Sequence, residues 1–285
     1  MNDESHNNYF AGVDIGSTMT KVVITGAGRE SSLIGPTGPE HRKLANCVME
    51  DALNRAGINI NDVTYIVATG YGRINVPFAD RQVTEITCHA KGLSSLIPSA
   101  RTVVDIGGQD SKGIRIENGK VVDFVMNDKC AAGTGRFLEI IADALGVALD
   151  RLGELSLTAE KPAAIGNMCT VFAEQEVISQ LADGESVPNL VAGIHQAVAA
   201  RIFALVSKLK IKPDVAITGG GAKNIGLVKA LEAKFGCSVL VPREPLLTGA
   251  LGAALIGKEM YEKAGKSGKT LDRKPRQLDE ARFFS

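Results

Sequence analysis

Two stretches of this sequence match each other, Val13-Asp14-Ile15-Gly16-Ser17-Thr18-Met19-Thr20-Lys21 and Val104-Asp105-Ile106-Gly107-Gly108-Gln109-Asp110-Ser111-Lys112. They are identical at five of nine positions, and Thr20 aligns with the similar Ser111. An internal repeat of this kind predicts two related halves that present the same loop.

Each copy begins with a short apolar run, interrupted by glycine and small polar residues before a second β-branched run. This pattern predicts a β-hairpin. The aspartate that ends the first strand can reach a divalent ion, and the residues after it bring N–H groups and hydroxyls to phosphate oxygens. An ordinary tight turn is the alternative for one copy, but two matched copies favour a phosphate site. The predicted binding residues are Gly16, Ser17, Thr18, Thr20, Lys21, Gly107 and Gly108.

The rest of the chain alternates between strand-like and helix-like segments. Strands are predicted near 10–15, 20–25, 63–68, 102–106, 112–117, 120–126, 214–218 and 238–241, and helices near 40–56, 84–96, 135–145, 171–183, 188–209, 223–234 and 247–263. Hairpins followed by alternating helices indicate an α/β protein of two layered lobes. Residues 265–285 are rich in Lys, Arg, Gly and Asp and are predicted to be a mobile tail.

Composition limits the classes of function. The net charge is zero over 285 residues, so no strong field would recruit nucleic acid or an anionic membrane. Charged residues interrupt the longest apolar helix, and the polar start of the chain lacks a signal-peptide pattern, so we expect a cytoplasmic protein. Five cysteines without a CxxC pair argue against a disulfide framework and against a local zinc site.

A third glycine-rich segment follows the predicted strand at Val215–Thr218, where Gly219, Gly220 and Gly221 precede an amphipathic helix. Three glycines allow another group to lie directly on the backbone, here the adenine and ribose of a nucleotide near a helix N-terminus. A plain strand-to-helix connection is the alternative. Together with the two hairpins, the nucleoside interpretation is favoured.

The three segments together resemble the phosphate-1, phosphate-2 and adenosine motifs of the sugar kinase, Hsp70 and actin superfamily. This resemblance implies a two-lobed actin-like ATPase with ribonuclease H-like repeats and a nucleotide cleft between the lobes. The first lobe would comprise residues 9–99 and 249–264, and the second residues 100–248. ATP or ADP with Mg²⁺ would be the ligand.

Two cysteines lie in similar settings. Cys130 and Cys169 each precede a predicted helix, where the helix dipole favours a thiolate. Each alone could be a small buried residue, but a cubane iron–sulfur cluster needs four thiolates, and two copies of this chain would supply four.

Longer motifs around these cysteines resemble the activators of 2-hydroxyacyl-CoA dehydratases, within the benzoyl-CoA reductase ATPase family. They are Asn127-Asp128-Lys129-Cys130-Ala131-Ala132-Gly133-Thr134-Gly135-Arg136-Phe137, Cys169-Thr170-Val171-Phe172-Ala173-Glu174 and Ala68-Thr69-Gly70-Tyr71-Gly72-Arg73. The resemblance implies a homodimer with one [4Fe-4S] cluster bridged by Cys130 and Cys169 of each subunit. It also implies ATP-dependent transfer of a low-potential electron, received from flavodoxin or ferredoxin, to a 2-hydroxyacyl-CoA dehydratase or a double-cubane cluster protein.

Within this hypothesis Asp14 and Asp105 organise Mg²⁺ and water, and Gln109 orients the attacking water. Two other classes stay open. A small-molecule kinase of the same superfamily would use the same loops, but no substrate-binding insertion with a carboxylate base is evident. A nucleotide-gated scaffold or sensor would leave the cysteines as core residues.

Overall fold

The computed structural model describes residues 8–166 and 169–278. They form two compact units, each with its own sheet. Unit 1 contains the chain up to Pro98 and from Leu246 onward, and unit 2 is Ser99–Pro245. The split therefore falls close to where the second copy of the repeat begins.

Ten strands and eight α-helices are present in the described ranges. The strands are β1 (Tyr9–Ile15), β2 (Met19–Gly26), β3 (Arg29–Pro36), β4 (Val63–Thr69), β5 (Arg81–Gln82), β6 (Thr102–Ile106), β7 (Ser111–Glu117), β8 (Lys120–Asn127), β9 (Val215–Thr218) and β10 (Val239–Leu240). The helices are α1 (His41–Ala56), α2 (Glu85–Leu96), α3 (Gly135–Leu145), α4 (Leu152–Leu157), α5 (Thr170–Ala182), α6 (Val187–Val206), α7 (Ile225–Phe235) and α8 (Thr248–Lys266).

The two sheets have the same topology. The order in unit 1 is β3-β2-β1-β4-β5, and read in the same sense the order in unit 2 is β8-β7-β6-β9-β10. In both units the first hairpin is antiparallel, and its first strand also pairs in parallel with the strand after a crossover. The duplication predicted from the repeated stretch is thus present in the backbone, and the α/β prediction is confirmed.

Each sheet carries apolar helices because its central strands are buried on both faces, as expected for strands with parallel neighbours. In unit 1 the buried face of α1, including Val48, Met49 and Leu53, packs on one side of the sheet. Helices α2 and α8 pack against each other on the other side. They come so close that a Cβ on Gly92 or Gly252 would collide with the backbone of the opposite helix. In unit 2, α3 to α7 form one apolar core with β6 and β9.

Three elements were absent from the sequence prediction. Strand β3 is an edge strand whose residues are only partly buried, so it lacks a clean alternation of apolar and polar residues. Strand β5 has two residues and helix α4 has six. Elements this short or this polar leave little periodic signal.

The prediction of a mobile tail from residue 265 is wrong for its described part. Helix α8 continues to Lys266, and the segment 271–278 lies against unit 1. Arg276 forms a bidentate ion pair with Asp80, with Nη–Oδ distances of 2.9 and 2.7 Å, and also donates to the carbonyls of Val63 and Thr64. Leu278 packs against the apolar core. Residues 279–285 lie outside the described ranges.

Within the described ranges, one helical segment, Val187–Leu209, is long and apolar enough to cross a membrane by length and composition. It includes α6, whose buried residues Leu190, Ile194 and Val198 belong to the unit 2 core. Its apolar character is accounted for by that packing, because a helix that is hydrophobic all round is typical of the core of a large unit.

Candidate functional site

The hairpin of unit 1 places a buried carboxylate at the end of β1. Asp14 lies opposite Lys21 in the β1–β2 register, and the Lys21 ammonium is 3.2 Å from Oδ2 of Asp14. The turn is closed by a hydrogen bond of 3.0 Å from the Gly16 N–H to the Met19 carbonyl. Strand pairing therefore fixes Asp14 while the turn residues after it stay at the surface.

The hairpin of unit 2 repeats this arrangement. Lys112 lies opposite Asp105, and its ammonium is 3.3 Å from Asp105 Oδ2 and 2.8 Å from Asp110 Oδ2. The Gly107 N–H donates to the Asp110 carbonyl at 3.0 Å, as the Gly16 N–H does in unit 1. The lysine side chain is 1% exposed, so its charge is neutralised within the protein by the two carboxylates.

A second loop accompanies each hairpin, and the sequence predicts a binding role for only one of the two loops. Gly219 follows β9 and Gly70 follows β4, with φ of 79° and 85°. A Cβ on either glycine would fall within 3 Å of the adjacent aspartate side chain and of the carbonyl after it. The segments read Thr218-Gly219-Gly220-Gly221 and Thr69-Gly70-Tyr71-Gly72. Their shared Thr-Gly-x-Gly spacing was the signal available in the sequence.

The two aspartates differ in their hydrogen bonds. Thr218 Oγ1 donates to Asp105 Oδ1 at 2.8 Å, so both oxygens of Asp105 have donors. In unit 1, Oδ1 of Asp14 is buried without a hydrogen-bond partner among the described residues, and so is the hydroxyl of Thr69. A buried carboxylate oxygen without a donor is costly unless a cation or water completes it. Asp14 Oδ1 therefore fits a divalent cation better than Asp105 does.

The other predicted phosphate-binding residues occupy different environments. Thr18, Gln109 and Gly220 are exposed, while Ser17, Gly16, Gly107 and Gly108 are partly exposed at the loop tips. Thr20 is fully buried, and its hydroxyl is 2.8 Å from that of Thr37. Lys21 is bound to Asp14. Phosphate binding by these residues stays a prediction, and the geometry favours the exposed ones.

The loop of unit 2 is joined directly to helix α3. The first N–H groups of that helix, from Gly135 and Arg136, donate to the carbonyls of Gly107 and Gly108 at 2.9 and 2.7 Å. These donors are the groups that a helix start leaves without intrahelical partners. A shift of the Gly107–Gly108 backbone is therefore transmitted to the start of α3.

Cys130 lies in the segment just before α3, as predicted, and α3 confirms the helix predicted near 135–145. Thr134 is the N-cap residue of the helix and Cys130 precedes it by a short turn, while the N–H groups of Gly135 and Arg136 donate to the Gly107–Gly108 loop. Asn127, the last residue of β8, fixes the segment by donating to the carbonyls of Cys130 and Ala132 at 2.8 and 3.1 Å.

Cys169 is at a helix start, as predicted. It is the N-cap residue of α5, with extended backbone angles, and its carbonyl accepts the first helical hydrogen bond, from the Ala173 N–H at 2.8 Å. The thiol-bearing residue is exposed, and the next two apolar residues, Val171 and Phe172, are each 62% exposed. The start of α5 thus presents an accessible thiol beside exposed apolar side chains.

The remaining cysteines are less suited to ligation. Cys88 is fully buried, and burial raises the pKa of its thiol to about 12, which disfavours the thiolate needed by a metal. Cys237 is exposed and Cys47 partly so, but neither begins or precedes a helix next to a glycine loop. Cys130 and Cys169 are therefore the pair that combines accessibility with a fixed backbone.

His195, on α6, is buried beside the glycine loop of unit 2. Its Nε2 is 2.9 Å from Asn224 Nδ2, and Asn224 caps α7 immediately after that loop. Burial lowers the pKa of His195 to about 4, so the imidazole is neutral near pH 7. This arrangement supports a structural role for His195.

Comparison with known proteins places these features in context. A model of the "BadF/BadG/BcrA/BcrD ATPase family" matches residues 11–257. The chain is 45% identical over 263 residues to the activator of lactoyl-CoA dehydratase from Anaerotignum propionicum, covering 90% of this chain and 99% of that one. It is 41% identical over 271 residues to the 2-hydroxyisocaproyl-CoA dehydratase activator of Clostridioides difficile, covering 92% and 100%.

Among solved structures, the activator of the 2-hydroxyisocaproyl-CoA dehydratase from Clostridium difficile with bound ADPNP is similar to this chain. The TM-score is 0.84 at 40% sequence identity, over 93% of this chain and 99% of that one. The fold is thus the two-lobed α/β ATPase fold that the resemblance of the three glycine-containing motifs implied.

Proposed function

This chain belongs to the BadF/BadG/BcrA/BcrD ATPase family, and from that premise we propose that it is an ATP-dependent electron donor that activates a 2-hydroxyacyl-CoA dehydratase. Relatives that match over nearly their whole length carry the name of dehydratase activator. One observation in this chain supports the proposal most: the backbone of the Gly107–Gly108 loop is bonded to the start of α3, and the segment just before α3 carries Cys130.

ATP is proposed to bind through the loops that follow β1, β6 and β9. The hydroxyls of Ser17 and Thr18 and the N–H of Gly108 would meet the phosphates, while Gly107, whose N–H closes the turn on Asp110, would let the phosphate approach the backbone. The Gly219–Gly221 turn would meet the nucleoside. Gly219 and Gly221 lie against Ile106, so the nucleoside would approach the backbone most closely at the exposed Gly220. Lys21 and Lys112 act indirectly, because both ammonium groups are held by carboxylates.

Mg²⁺ would be held by Asp14, whose buried Oδ1 has no donor among the described residues, with water and phosphate oxygens completing the shell. When bound, the ion would neutralise the charge that develops on the phosphate. Asp105, fixed by Thr218 and Lys112, would organise water, and the exposed Gln109 would orient the water that attacks the terminal phosphorus. Hydrolysis adds that water across the terminal phosphoanhydride to give ADP and phosphate.

Cys130 and Cys169 would hold an iron–sulfur cluster together with the same two residues of a second copy. The fit rests on their accessibility, and on the exposed Val171 and Phe172, which a second copy would cover. Two thiolates per chain complete a set of four only in a homodimer. When bound, such a cluster would supply one-electron chemistry, with flavodoxin or ferredoxin as the source and the dehydratase, or a double-cubane protein, as the acceptor.

Coupling would pass through the backbone hydrogen bonds of Gly135 and Arg136. Loss of the terminal phosphate would change the Gly107–Gly108 backbone, and α3 would follow because its first two N–H groups are bound there. The Cys130 segment precedes that helix without an intervening element. The family match favours this reading over the small-molecule kinase and the scaffold considered from the sequence.

The test is anaerobic purification followed by iron and sulfide analysis, electron paramagnetic resonance of the reduced protein, and ATP-dependent activation of a purified 2-hydroxyacyl-CoA dehydratase. We expect one cluster per dimer, lost in Cys130→Ser and Cys169→Ser and retained in Cys237→Ser, the exposed control. Asp105→Asn should keep the cluster signal and lose ATP hydrolysis. A protein that is monomeric and free of sulfide, or a cluster that survives both cysteine replacements, would refute the assignment.

A further inference from the structure

A cavity in unit 1 lies at the opposite end of the sheet from Asp14. It has a volume of about 810 Å³ and is bounded by the start of β1, the end of β2, the last turns of α8 and the segment 269–273. Phe10 in its wall precedes Asp14 by four residues on β1, which separates them by about 13 Å at the usual rise of a strand. The cavity is therefore distinct from the hairpin loop of the same unit.

The inner wall of the cavity is aromatic. Phe10, Tyr65 and Tyr261 contribute to it, and the rings of Phe10 and Tyr261 are 5.7 Å apart and tilted by 57°. Phe10 and Tyr65 are buried, whereas Tyr261 is 37% exposed. Tyr261 thus presents a ring, supported from behind, against which a flat apolar group can lie.

The rim of the cavity is cationic. Lys258, Lys266, Lys269 and Arg273 line it, against a single acidic lining residue, Glu262, which lies 4.0 Å from Lys258. In the part of the chain that the structure describes, no carboxylate lies within ion-pair distance of Lys266 or Lys269. Among the described residues, Lys266 and Lys269 therefore line the opening without a carboxylate at ion-pair distance.

The side chains, and not the backbone, must supply this charge. The N–H groups of Ser267, Gly268 and Lys269 already donate to carbonyls at the end of α8. The segment Gly265–Thr270 consequently offers no free backbone nest for an anion, although its composition resembles the end of a phosphate loop. The segment 269–273, which bounds the cavity, is held in place by Arg273, which donates to the Val63 carbonyl at 2.9 Å, and by the Arg276–Asp80 ion pair that follows it.

We propose that this cavity is a second binding site, for a nucleoside phosphate whose base lies on Tyr261 and whose phosphate is met by Lys266, Lys269 and Arg273. A volume in this range suits a small organic ligand, and the combination of an aromatic wall with a few polar groups is typical of such sites. The charged rim selects a phosphate over an uncharged nucleoside. The proposal does not depend on the iron–sulfur function.

The test uses a reporter that the sequence allows, because the chain has no tryptophan. Tyr261→Trp places a single indole in the cavity wall, and titration with ADP should quench its fluorescence, whereas adenosine should not. Adding Lys266→Ala and Lys269→Ala should weaken the response to ADP by about tenfold or more, because each lost ammonium removes a charge-assisted contact. Adding Lys234→Ala and Lys263→Ala instead, two exposed lysines outside the cavity, should leave it unchanged.

Equilibrium dialysis of labelled ADP against the otherwise unmodified protein gives the second readout. We expect two ADP per chain in the parent and in the control variant, and one per chain after Lys266→Ala with Lys269→Ala, with ATP hydrolysis unchanged in all three. One ADP per chain in every variant, or two that persist without Lys266 and Lys269, would overturn the site. Neither result would alter the cluster and activation assays, so the two proposals fail separately.

Discussion

Replacing Thr218 with Val tests the hydrogen bond that distinguishes the two aspartates. The Thr218 hydroxyl donates to buried Asp105 Oδ1 at 2.8 Å, and valine keeps the volume while removing the donor. A hydrogen bond to a charged group contributes about 1.5–3 kcal/mol, so the free energy of unfolding of unit 2 should fall by roughly that amount. If Asp105 must also be held in place during hydrolysis, kcat should fall about 10- to 150-fold, the same energy expressed as a rate.

The duplicated fold supplies the matched control. Thr69 occupies the equivalent place after β4, but its hydroxyl forms no hydrogen bond to Asp14, so Thr69→Val should cost well under about 1 kcal/mol. Urea unfolding followed by circular dichroism, and steady-state ATP hydrolysis, measure the two effects. Equal losses for the two variants, or an unchanged kcat in Thr218→Val, would show that the Thr218–Asp105 bond does not set the difference between the halves.

Three further changes follow from the same structure. Burial lowers the pKa of His195 from 6.5 to about 4, so the unfolded chain binds the proton more readily, and the free energy of unfolding should fall by at most about 3 kcal/mol as the pH drops from 6.5 toward 4. His195→Gln should flatten that pH dependence in urea titrations. Arg276→Met leaves the buried Asp80 carboxylate without its cation and should destabilise unit 1 by about 3–5 kcal/mol in thermal unfolding, whereas Asp80→Asn combined with it should recover part of the loss. Gly70→Ala should destabilise unit 1 by more than about 2 kcal/mol, since the added Cβ meets Asp14 at a positive φ, and Gly28→Ala, also at positive φ but in open space, should cost only about 1 kcal/mol.

The elements nearest the repeated stretches were predictable because their signals are local. The hairpins at Asp14 and Asp105, the buried strand before Gly219 and the helix after Cys169 each depend on residues within a few positions of one another. Glycines, β-branched runs and apolar periodicity encode such elements directly. Thr69-Gly70-Tyr71-Gly72 shows the limit, since its equivalence to the Gly219 loop becomes evident only when both are seen against their aspartates.

The sequence by itself determined the duplication, the α/β class and the family, because these depend on short motifs whose order along the chain is enough. Only the tertiary structure decided that Arg276 of the described tail forms an ion pair with Asp80, 196 residues away. Only it decided that the first N–H groups of α3 donate to the Gly107 and Gly108 carbonyls. It also decided that, among the described residues, Asp14 Oδ1 has no donor whereas Asp105 Oδ1 has one. The physical reason is that hydrogen bonds and ion pairs between distant segments depend on which buried polar atoms the fold brings together, and no local sequence pattern encodes those contacts.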